Sequence, residues 1–444
     1  MLTMNAHHSL HNDCRYLVVG LGLTGYSVAR YLMRHGYDVV VQDDRGEPPY
    51  RGKLLGDFPE SRIILSALSL ELVNDFDCLV VSPGVSIRGE VLKKVSESGK
   101  RIIGDIELFA EAVDAPVIAI TGSNGKSTVT ALVGEMVRAD GKAVGVGANF
   151  GVPALDLLEL GAELYVLELS SFQLETTSGL RPLAASVLNV SEDHMDRYRD
   201  LADYADTKKT IYRNTAHCIS NLDDARTACT EQDTRFSLID TRAEFHVSSG
   251  DQPQLVVRGE VWLDTTELKL KGRHNWANSL AAMALAEAAG VSRQGIIAAL
   301  KDFAGLPHRS QWVAEVNGVN WINDSKATNP GAAMAAIEGQ TQPVILLAGG
   351  QGKGADMAMM RETLKRQVKT VLLYGQDADL MQRAWQGSVE IERVDNLQQA
   401  VRRAQQVAVA GDVVLLSPAC ASFDQFKGYA HRGELFGDYV RALQ

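Results

Sequence analysis

One stretch restricts this chain more than any other: Ile120-Thr121-Gly122-Ser123-Asn124-Gly125-Lys126-Ser127-Thr128. An apolar run, Pro116-Val-Ile-Ala-Ile120, precedes it and reads as a short buried strand. Val129-Thr-Ala-Leu-Val-Gly-Glu-Met-Val137 follows and reads as a helix. A strand, a glycine-rich turn ending in Gly-Lys-Ser and a helix together make a phosphate cradle. The turn's backbone N–H groups point inward, the helix N-terminus adds positive potential, and Lys126 reaches the outer phosphates. Ser127 stands where such a loop's hydroxyl holds magnesium. The common spacing wants glycine at position 120, where this chain has Ile120; Gly122 leaves a shorter loop. An ordinary Gly/Ser/Asn turn would leave the Lys-Ser-Thr at the helix start unexplained.

The rest of the chain repeats a strand–turn–helix rhythm. With 444 residues it has room for two to four domains, at about 100–200 residues each, and the rhythm divides it into 1–104, 105–305 and 306–444. The first begins with the strand Tyr16-Leu-Val-Val19, the turn Gly20-Leu-Gly22-Leu-Thr-Gly25 and a helix from Tyr26 to Arg34. A second strand, Asp38-Val-Val-Val-Gln42, ends at Asp43-Asp44-Arg45, so a G-x-G-x-x-G turn is followed by an acid at the next strand's tip. A third, Asp77-Cys-Leu-Val-Val81, runs into Ser82-Pro83-Gly84.

In the second domain, Ala143-Val-Gly-Val146 leads to Asn149, Leu164-Tyr-Val-Leu-Glu168 carries a carboxylate at its end, and Ala184–Val190 runs into the polar turn 191–196. Short strand-like pieces in 235–270 predict a small β insertion. Gly272-Arg-His274-Asn275-Trp-Ala-Asn278 opens an Ala-rich helix. The third domain restarts with strands at 321–323, 343–347, 370–374 and 412–416. Strands alternating with helices predict mostly parallel sheets covered on both faces. The expected fold is therefore three α/β domains: Rossmann-like, phosphate-loop ATPase-type with a small β insertion, and Rossmann-like again.

A net charge of −11 argues against non-specific binding to nucleic acid or anionic membranes, which a basic surface drives. Five scattered cysteines without a Cys-x-x-Cys pair fit reduced thiols. The start, residues 1–13, is polar and lacks the apolar core of a signal peptide, and no apolar run is long enough for a bilayer. The expected location is the cytoplasm, without membrane insertion.

Several residues carry chemistry in their own right. Glu168, at a buried strand's tip, can meet a magnesium ion bound to ATP; without the neighbouring loop it would read as an exposed strand end. His194, in the turn after another strand, reads equally as a surface histidine. Lys208, beside Lys209, reads by itself as a helical lysine on a solvated face. Asp43 and Asp44 are a ribose or base contact or a solvated strand end. In the third domain, Pro307-His308-Arg309, Asn323-Asp324-Ser325-Lys326-Ala327-Thr328-Asn329, Gly349–Gly354 with Lys353, and Ser417–Phe426 are polar or glycine-rich clusters able to bind anions. Cys420 among alanines reads as packing. The N-terminal turn alone would suit an NAD-dependent oxidoreductase, which leaves Lys126, Glu168 and His194 without work. A phosphate-loop switch protein is the other reading from residues alone.

Taken together, these motifs resemble the Mur ligases of peptidoglycan synthesis. The resemblance rests on Gly20–Gly25, Ser82-Pro-Gly84, the 122–128 loop, Leu167-Glu-Leu-Ser-Ser-Phe-Gln-Leu174, Glu192–Arg197, Gly272–Asn278, Pro307-His-Arg309, Asn323–Asn329 and Ser417–Ser422, and it spans the chain beyond the first dozen residues. It implies an ATP-dependent ligase joining an amino acid to a UDP-linked muramoyl carboxylate through an acyl phosphate. The DNPR motif of diaminopimelate-adding relatives is absent, which supports D-glutamate and UDP-N-acetylmuramoyl-L-alanine as the substrates. A folylpolyglutamate synthase is the neighbouring alternative.

The resemblance assigns roles residue by residue. Gly122, Ser123, Asn124, Gly125, Lys126, Ser127 and Thr128 would hold the ATP phosphates, with Asn275 and Asn278 near the adenine and Arg309 and Asp324 closing over the nucleotide. Lys126, Glu168, His194 and Lys208 would be catalytic. Two magnesium ions are implied, one on Ser127 and Glu168, the other on His194 and a carbamylated Lys208. Lys208 is preferred to Lys209 because it lies four residues after Tyr204 and three before Ile211-Tyr212. Leu23, Thr24, Asp43, Arg45 and Ser82 would meet the UDP, and Asn149 the γ-phosphate or that substrate. Lys326, Thr328, Lys353, Ser422 and Phe423 would meet D-glutamate. The expected enzyme acts as a monomer.

Overall fold

A computed structural model describes residues 14–195, 197–229, 233–270 and 272–443. The polar start at 1–13 and Asp196 of the 191–196 turn, both read above, lie outside the described residues. The chain forms three sheets. The first holds β1 (Arg15–Val19), β2 (Asp38–Asp43), β3 (Arg62–Leu65), β4 (Cys78–Val81) and β5 (Arg101–Ile103). All are parallel, in the order β3-β2-β1-β4-β5. The order reverses between β1 and β4, so their carboxyl ends open a crevice where open α/β sheets bind ligands. The glycine turn and Ser82 lie there, and the Ser82 hydroxyl donates to the Gly20 carbonyl at 3.0 Å.

The central sheet runs from β6 (Val117–Thr121), β7 (Val144–Ala148), β8 (Leu164–Glu168), β9 (Ala184–Val187) and β10 (His217–Asn221) to β11 (Thr234–Ser237), β12 (Phe245–Val247), β13 (Gln254–Val257) and β14 (Glu260–Asp264). Their order is β14-β13-β12-β11-β10-β9-β6-β8-β7. The short pieces expected at 235–270 are β11 to β14. They extend this same sheet, with β12, β13 and β14 pairing antiparallel at its edge. All five residues of β6 are buried, and it pairs with β8 on one side and β9 on the other. That central place puts the loop after β6 between the ends of two neighbours.

The strand expected at 184–190 stops at Val187. Residues 188–191 leave the ladder to brace the loop. Leu188 N donates to the Thr121 carbonyl, and the Asn189 side chain accepts from Asn124 N at 2.8 Å and donates to its carbonyl at 3.0 Å.

The third sheet contains β15 (Gln311–Val316), β16 (Val319–Asn323), β17 (Val344–Gly349), β18 (Val368–Tyr374), β19 (Glu390–Arg393) and β20 (Val413–Leu416), in the order β15-β16-β20-β17-β18-β19. The helix Pro330–Glu338 starts where local chemistry dictates. Asn329 caps it by accepting from Ala332 N at 2.8 Å, and Pro330 occupies a first-turn position that needs no N–H.

The three units join differently. One apolar core runs from the first sheet into the second, through Leu32, Phe109, Leu157 and Tyr204. Its rim is ionic: Arg88 reaches Glu175 and Asp203, and Arg197 reaches Glu175 and the Pro83 carbonyl. The third unit has cores of its own and meets the second through polar contacts at the loop after β6.

Candidate active site

The loop after β6 has the backbone that its glycines dictate. Gly125 adopts φ +83°, and a Cβ there would meet Asn278 Oδ1 at 2.4 Å, so both the turn and its neighbour require glycine. Ser123 and Asn124 face the 189–191 segment. Ser123 N donates to the Asn189 carbonyl, and the Ser123 hydroxyl donates to the Ser191 carbonyl at 2.9 Å. Thr128 is buried in the helix Lys126–Ala139.

Basic side chains converge on this turn. Lys126 Nζ folds back onto the carbonyls of Gly122 (2.8 Å) and Ser123 (3.0 Å). Lys208 Nζ donates to the same Gly122 carbonyl at 2.9 Å. From the third unit, Arg309 donates to Ser127 Oγ at 2.6 Å. Ser127 in turn donates to Glu168 Oε2 at 2.5 Å, while Asn149 Nδ2 donates to Oε1 at 2.7 Å. Glu168 and Ser127 are each 3 % exposed. A buried carboxylate and a hydroxyl in contact are hard oxygen donors of the kind a magnesium ion takes.

Lys208 differs most from its sequence appearance. It is 1 % exposed, near the end of the helix Leu201–Lys209, with its ammonium 4.4 Å from the Tyr204 ring centroid. Burial, then the charge of Lys126, drives it well below the ordinary lysine range. An amine in that state is neutral and nucleophilic, the form that takes up CO2; as an ammonium it could not be a metal ligand. Lys209, by contrast, pairs with Asp206 on the surface. Lys126 is also lowered by burial, opposed by Glu168 and Asp193.

His194 has φ +57° and packs against the Phe172 ring at 4.7 Å. Burial lowers its basicity, partly opposed by Asp193, and leaves a neutral imidazole able to ligate.

On the far side, Asn275 and Asn278 are buried in the first turns of the helix Arg273–Ala288, and Asn278 Nδ2 donates to Asn275 Oδ1 at 2.9 Å. Asp324 is buried and accepts from Ser310 N (3.0 Å) and Ser417 Oγ (2.9 Å); burial pushes its carboxyl up to about 7. Lys326 lies with its ammonium 3.8 Å from the Tyr429 ring centroid, and burial brings it down to about 8, with Arg309 adding repulsion. It senses the charges of Lys126, Glu168 and Lys353, so the third unit's cations face the same space. Lys353 sits at φ +51° in the glycine turn after β17 and is exposed. Thr328 is partly buried, Ser422 is buried, and Phe423 is 68 % exposed.

The N-terminal residues form a separate group. Asp43, 2 % exposed, accepts from Leu21 N at 2.7 Å through Oδ2 and from Arg45 N at 2.9 Å through Oδ1, and pairs with the Arg45 guanidinium. Arg45 holds its carboxyl down at about 2. Leu23 is exposed at the helix start, with Thr24 partly buried beside it.

Three contributors escaped the sequence reading. Asn189 and Asp193 flank the loop; Asp193 sits inside the 192–197 motif, which was the available signal. Arg432 had none, since an arginine in the helix Tyr429–Arg441 looks like surface. It is 0 % exposed and donates to Ser325 Oγ (2.9 Å), the Ser325 carbonyl (2.8 Å) and the carbonyls of Cys420 (3.1 Å) and Gly349 (3.4 Å). It thereby ties together the roots of the loops carrying Lys326, Lys353 and Ser422. Cys420 is buried against Met381, as its packing reading expects.

A phosphate-type loop at the switch of one α/β sheet, flanked by two Rossmann-like units, defines the architecture. Family models match it in three consecutive parts: "Mur ligase MurD-like, N-terminal domain" over 14–104, "Mur ligase middle domain" over 120–286 and "Mur ligase, glutamate ligase domain" over 308–420. The chain belongs to the Mur ligase family. It is 48% identical over 442 residues to the UDP-N-acetylmuramoylalanine–D-glutamate ligase of Marinobacter nauticus, covering 97% of this chain and 99% of that one. It is 47% identical to the protein of the same name from Pseudomonas aeruginosa, covering 96% and 98%. Among solved structures, the UDP-N-acetylmuramate-alanine ligase of Thermotoga maritima shares the fold at a TM-score of 0.61 and 17% identity, covering 97% of this chain and 100% of that one.

Proposed function

We infer that this chain is an ATP-dependent ligase that adds D-glutamate to UDP-N-acetylmuramoyl-L-alanine in peptidoglycan precursor synthesis. The observation that carries the reading is the meeting of Lys126 and Arg309 around one loop whose Ser127 is bonded to Glu168, with the Lys208 amine on the same Gly122 carbonyl as Lys126. Phosphoryl transfer to a carboxylate brings an anion to a polyanion, so the barrier is governed by positive charge placed in advance.

The alanyl carboxylate attacks the γ-phosphorus and ADP leaves. The D-glutamate amine then attacks the acyl phosphate carbonyl, and the tetrahedral adduct expels phosphate. Lys126 leaves its loop carbonyls to meet the phosphates, which restores the charge that burial suppresses. Ser127 and Glu168 would hold one magnesium ion. His194 would hold a second together with Lys208, once its amine has added CO2 to give an N-carboxylate and release a proton. Bound magnesium supplies charge neutralisation at the transferring phosphoryl group. Lys326 and Lys353, with Thr328 and Ser422 nearby, suit a dicarboxylate amino acid. The N-terminal crevice receives the UDP, beside Leu23, Thr24, Arg45 and Ser82. A cytoplasmic location is in keeping with nucleotide-linked substrates, and no helix among the described residues is long and apolar enough to cross a membrane.

Phosphate release measured with each substrate omitted in turn tests the reading. Release requires ATP, the UDP-muramoyl substrate and D-glutamate together. Release indifferent to D-glutamate, or supported by L-glutamate alone, refutes it.

A further inference from the structure

Away from this site, Cys218 and Cys229 bring their Sγ atoms to 2.8 Å, beside the buried carboxylate of Asp233. Cys218 lies in β10, level with Ala185 of β9. This is the amino end of the parallel strands, whereas the phosphate loop leaves β6 at Thr121, level with Val187 at the carboxyl end. Cys229 follows the short turn Ala225–Thr227, and its N–H is fixed by Asp233 Oδ2 at 2.9 Å. The intervening loop is anchored by Tyr212, whose hydroxyl lies 3.0 Å from the carbonyls of Ile219 and Thr227. The two sulfurs are therefore presented to each other by ordered backbone on both sides. Both thiols are partly exposed, so a small oxidant can reach them.

We propose that Cys218 and Cys229 are a modification site: a hydroperoxide converts them to a reversible disulfide that staples β10 to the entrance of β11. The alternative use of two cysteines and an aspartate, a zinc ion, fits the spacing less well. Two sulfurs on one tetrahedral zinc at ~2.3 Å each stand about 3.8 Å apart, further than the 2.8 Å found here. The chemistry balances with one peroxide. Burial raises both thiols, and the contact with Cys218 partly offsets this at Cys229, so the Cys229 sulfur attacks a peroxide oxygen and gives its proton to the departing hydroxide: the O–O bond breaks, and the sulfenic acid and one water form. The Cys218 sulfur then attacks the sulfenic sulfur, forming the S–S bond and expelling a second water. Two thiol hydrogens and two electrons leave the protein, and one hydrogen peroxide becomes two waters. A thiol reductant reverses it.

The test uses the full chain, reduced and then exposed to hydrogen peroxide. Remaining thiols are alkylated after unfolding and counted, and peptides are mapped by mass spectrometry. Accessible thiols fall from five to three, a peptide cross-linked between Cys218 and Cys229 appears with the mass of two hydrogens lost, and dithiothreitol restores both. The oxidised protein melts several degrees higher, because the bond restrains the unfolded chain. C218S and C229S each abolish the cross-link and keep turnover within twofold. The proposal is overturned if both cysteines remain alkylated at peroxide doses that oxidise exposed methionines. It is equally overturned if they cross-link to other cysteines, or if the purified protein holds one equivalent of zinc that is released when this pair is alkylated.

Discussion

Two turns of the molecule share one backbone device, a buried parallel strand, a glycine turn and a helix: the turn after β1 and the turn after β6. What differs is the charge brought to each turn. At the first, neighbouring β2 delivers Asp43, whose carboxylate takes the Leu21 amide and is held by Arg45. Asp43 is buried with both oxygens engaged, so it fixes the shape of that turn and positions Arg45 beside it. At the second, Lys126 and Arg309 bring cations and Lys208 a buried amine, and the carboxylate of Glu168 is already capped by Ser127 and Asn149. That turn suits a phosphoryl group in transit. Backbone geometry is alike in the two places; side chains from adjacent strands and from another unit make their charge differ.

Four substitutions sharpen or break this contrast. The largest effect belongs to Lys126→Ala, which removes charge made useful only as the phosphoryl group moves. Turnover falls at least about a thousandfold, ~4 kcal/mol at 1.36 per decade, with the fold intact by circular dichroism. Lys208→Arg puts a fixed cation in place of a neutral amine and cannot form an N-carboxylate, so turnover falls by about a hundredfold or more, nearly 3 kcal/mol. In the wild type, removing CO2 and bicarbonate lowers the rate reversibly. Wild-type activity in Lys208→Arg would remove the carbamate from the account.

Asp43→Asn acts at the other turn. Losing the ion pair there costs about 1–2 kcal/mol and raises KM for the UDP substrate roughly tenfold at that energy, while kcat holds, as steady-state kinetics will show. An equal fall in kcat would mean the two turns are not separable.

The smallest effect is on stability. Asp324 has its folded carboxyl raised to about 7 from an ordinary 3.8. The folded state therefore holds this proton more tightly, so the stabilisation is complete below pH 4 and is lost as pH rises towards 7. Asp324→Asn, a neutral mimic, is more stable than wild type above pH 7 by urea titration and loses that advantage below pH 4.

The contrast also explains what the sequence made legible. The loop 122–128, the strand ends at Glu168 and Asn149, and the alternation of strands and helices are local patterns, and local patterns survive in one dimension. Lys208 was legible only through family resemblance. Its helix is polar and its neighbours include Asp206 and Lys209, and nothing local says that it is buried under Gly122, 86 positions earlier in the chain. Arg432 was not legible, because its partners are carbonyls of three distant loops. The early end of β9 at Val187 was missed for a related reason: Leu188–Val190 is apolar enough for a strand, but Leu188 bonds to the end of β6, Asn189 to Ser123 and Asn124 of the loop after it, and Val190 N to Asp224. Long-range polar pairing, rather than propensity, is what the chain does not write locally.

The central claim, that the loop after β6 transfers a phosphoryl group to the substrate's carboxylate before the amide forms, has a direct test. UDP-N-acetylmuramoyl-L-alanine labelled with 18O in both carboxyl oxygens is turned over with ATP and D-glutamate, and the inorganic phosphate is analysed by mass spectrometry. Each phosphate is expected to carry one 18O atom from the carboxylate. Unlabelled phosphate, with both 18O atoms lost to water or retained elsewhere, would contradict the account.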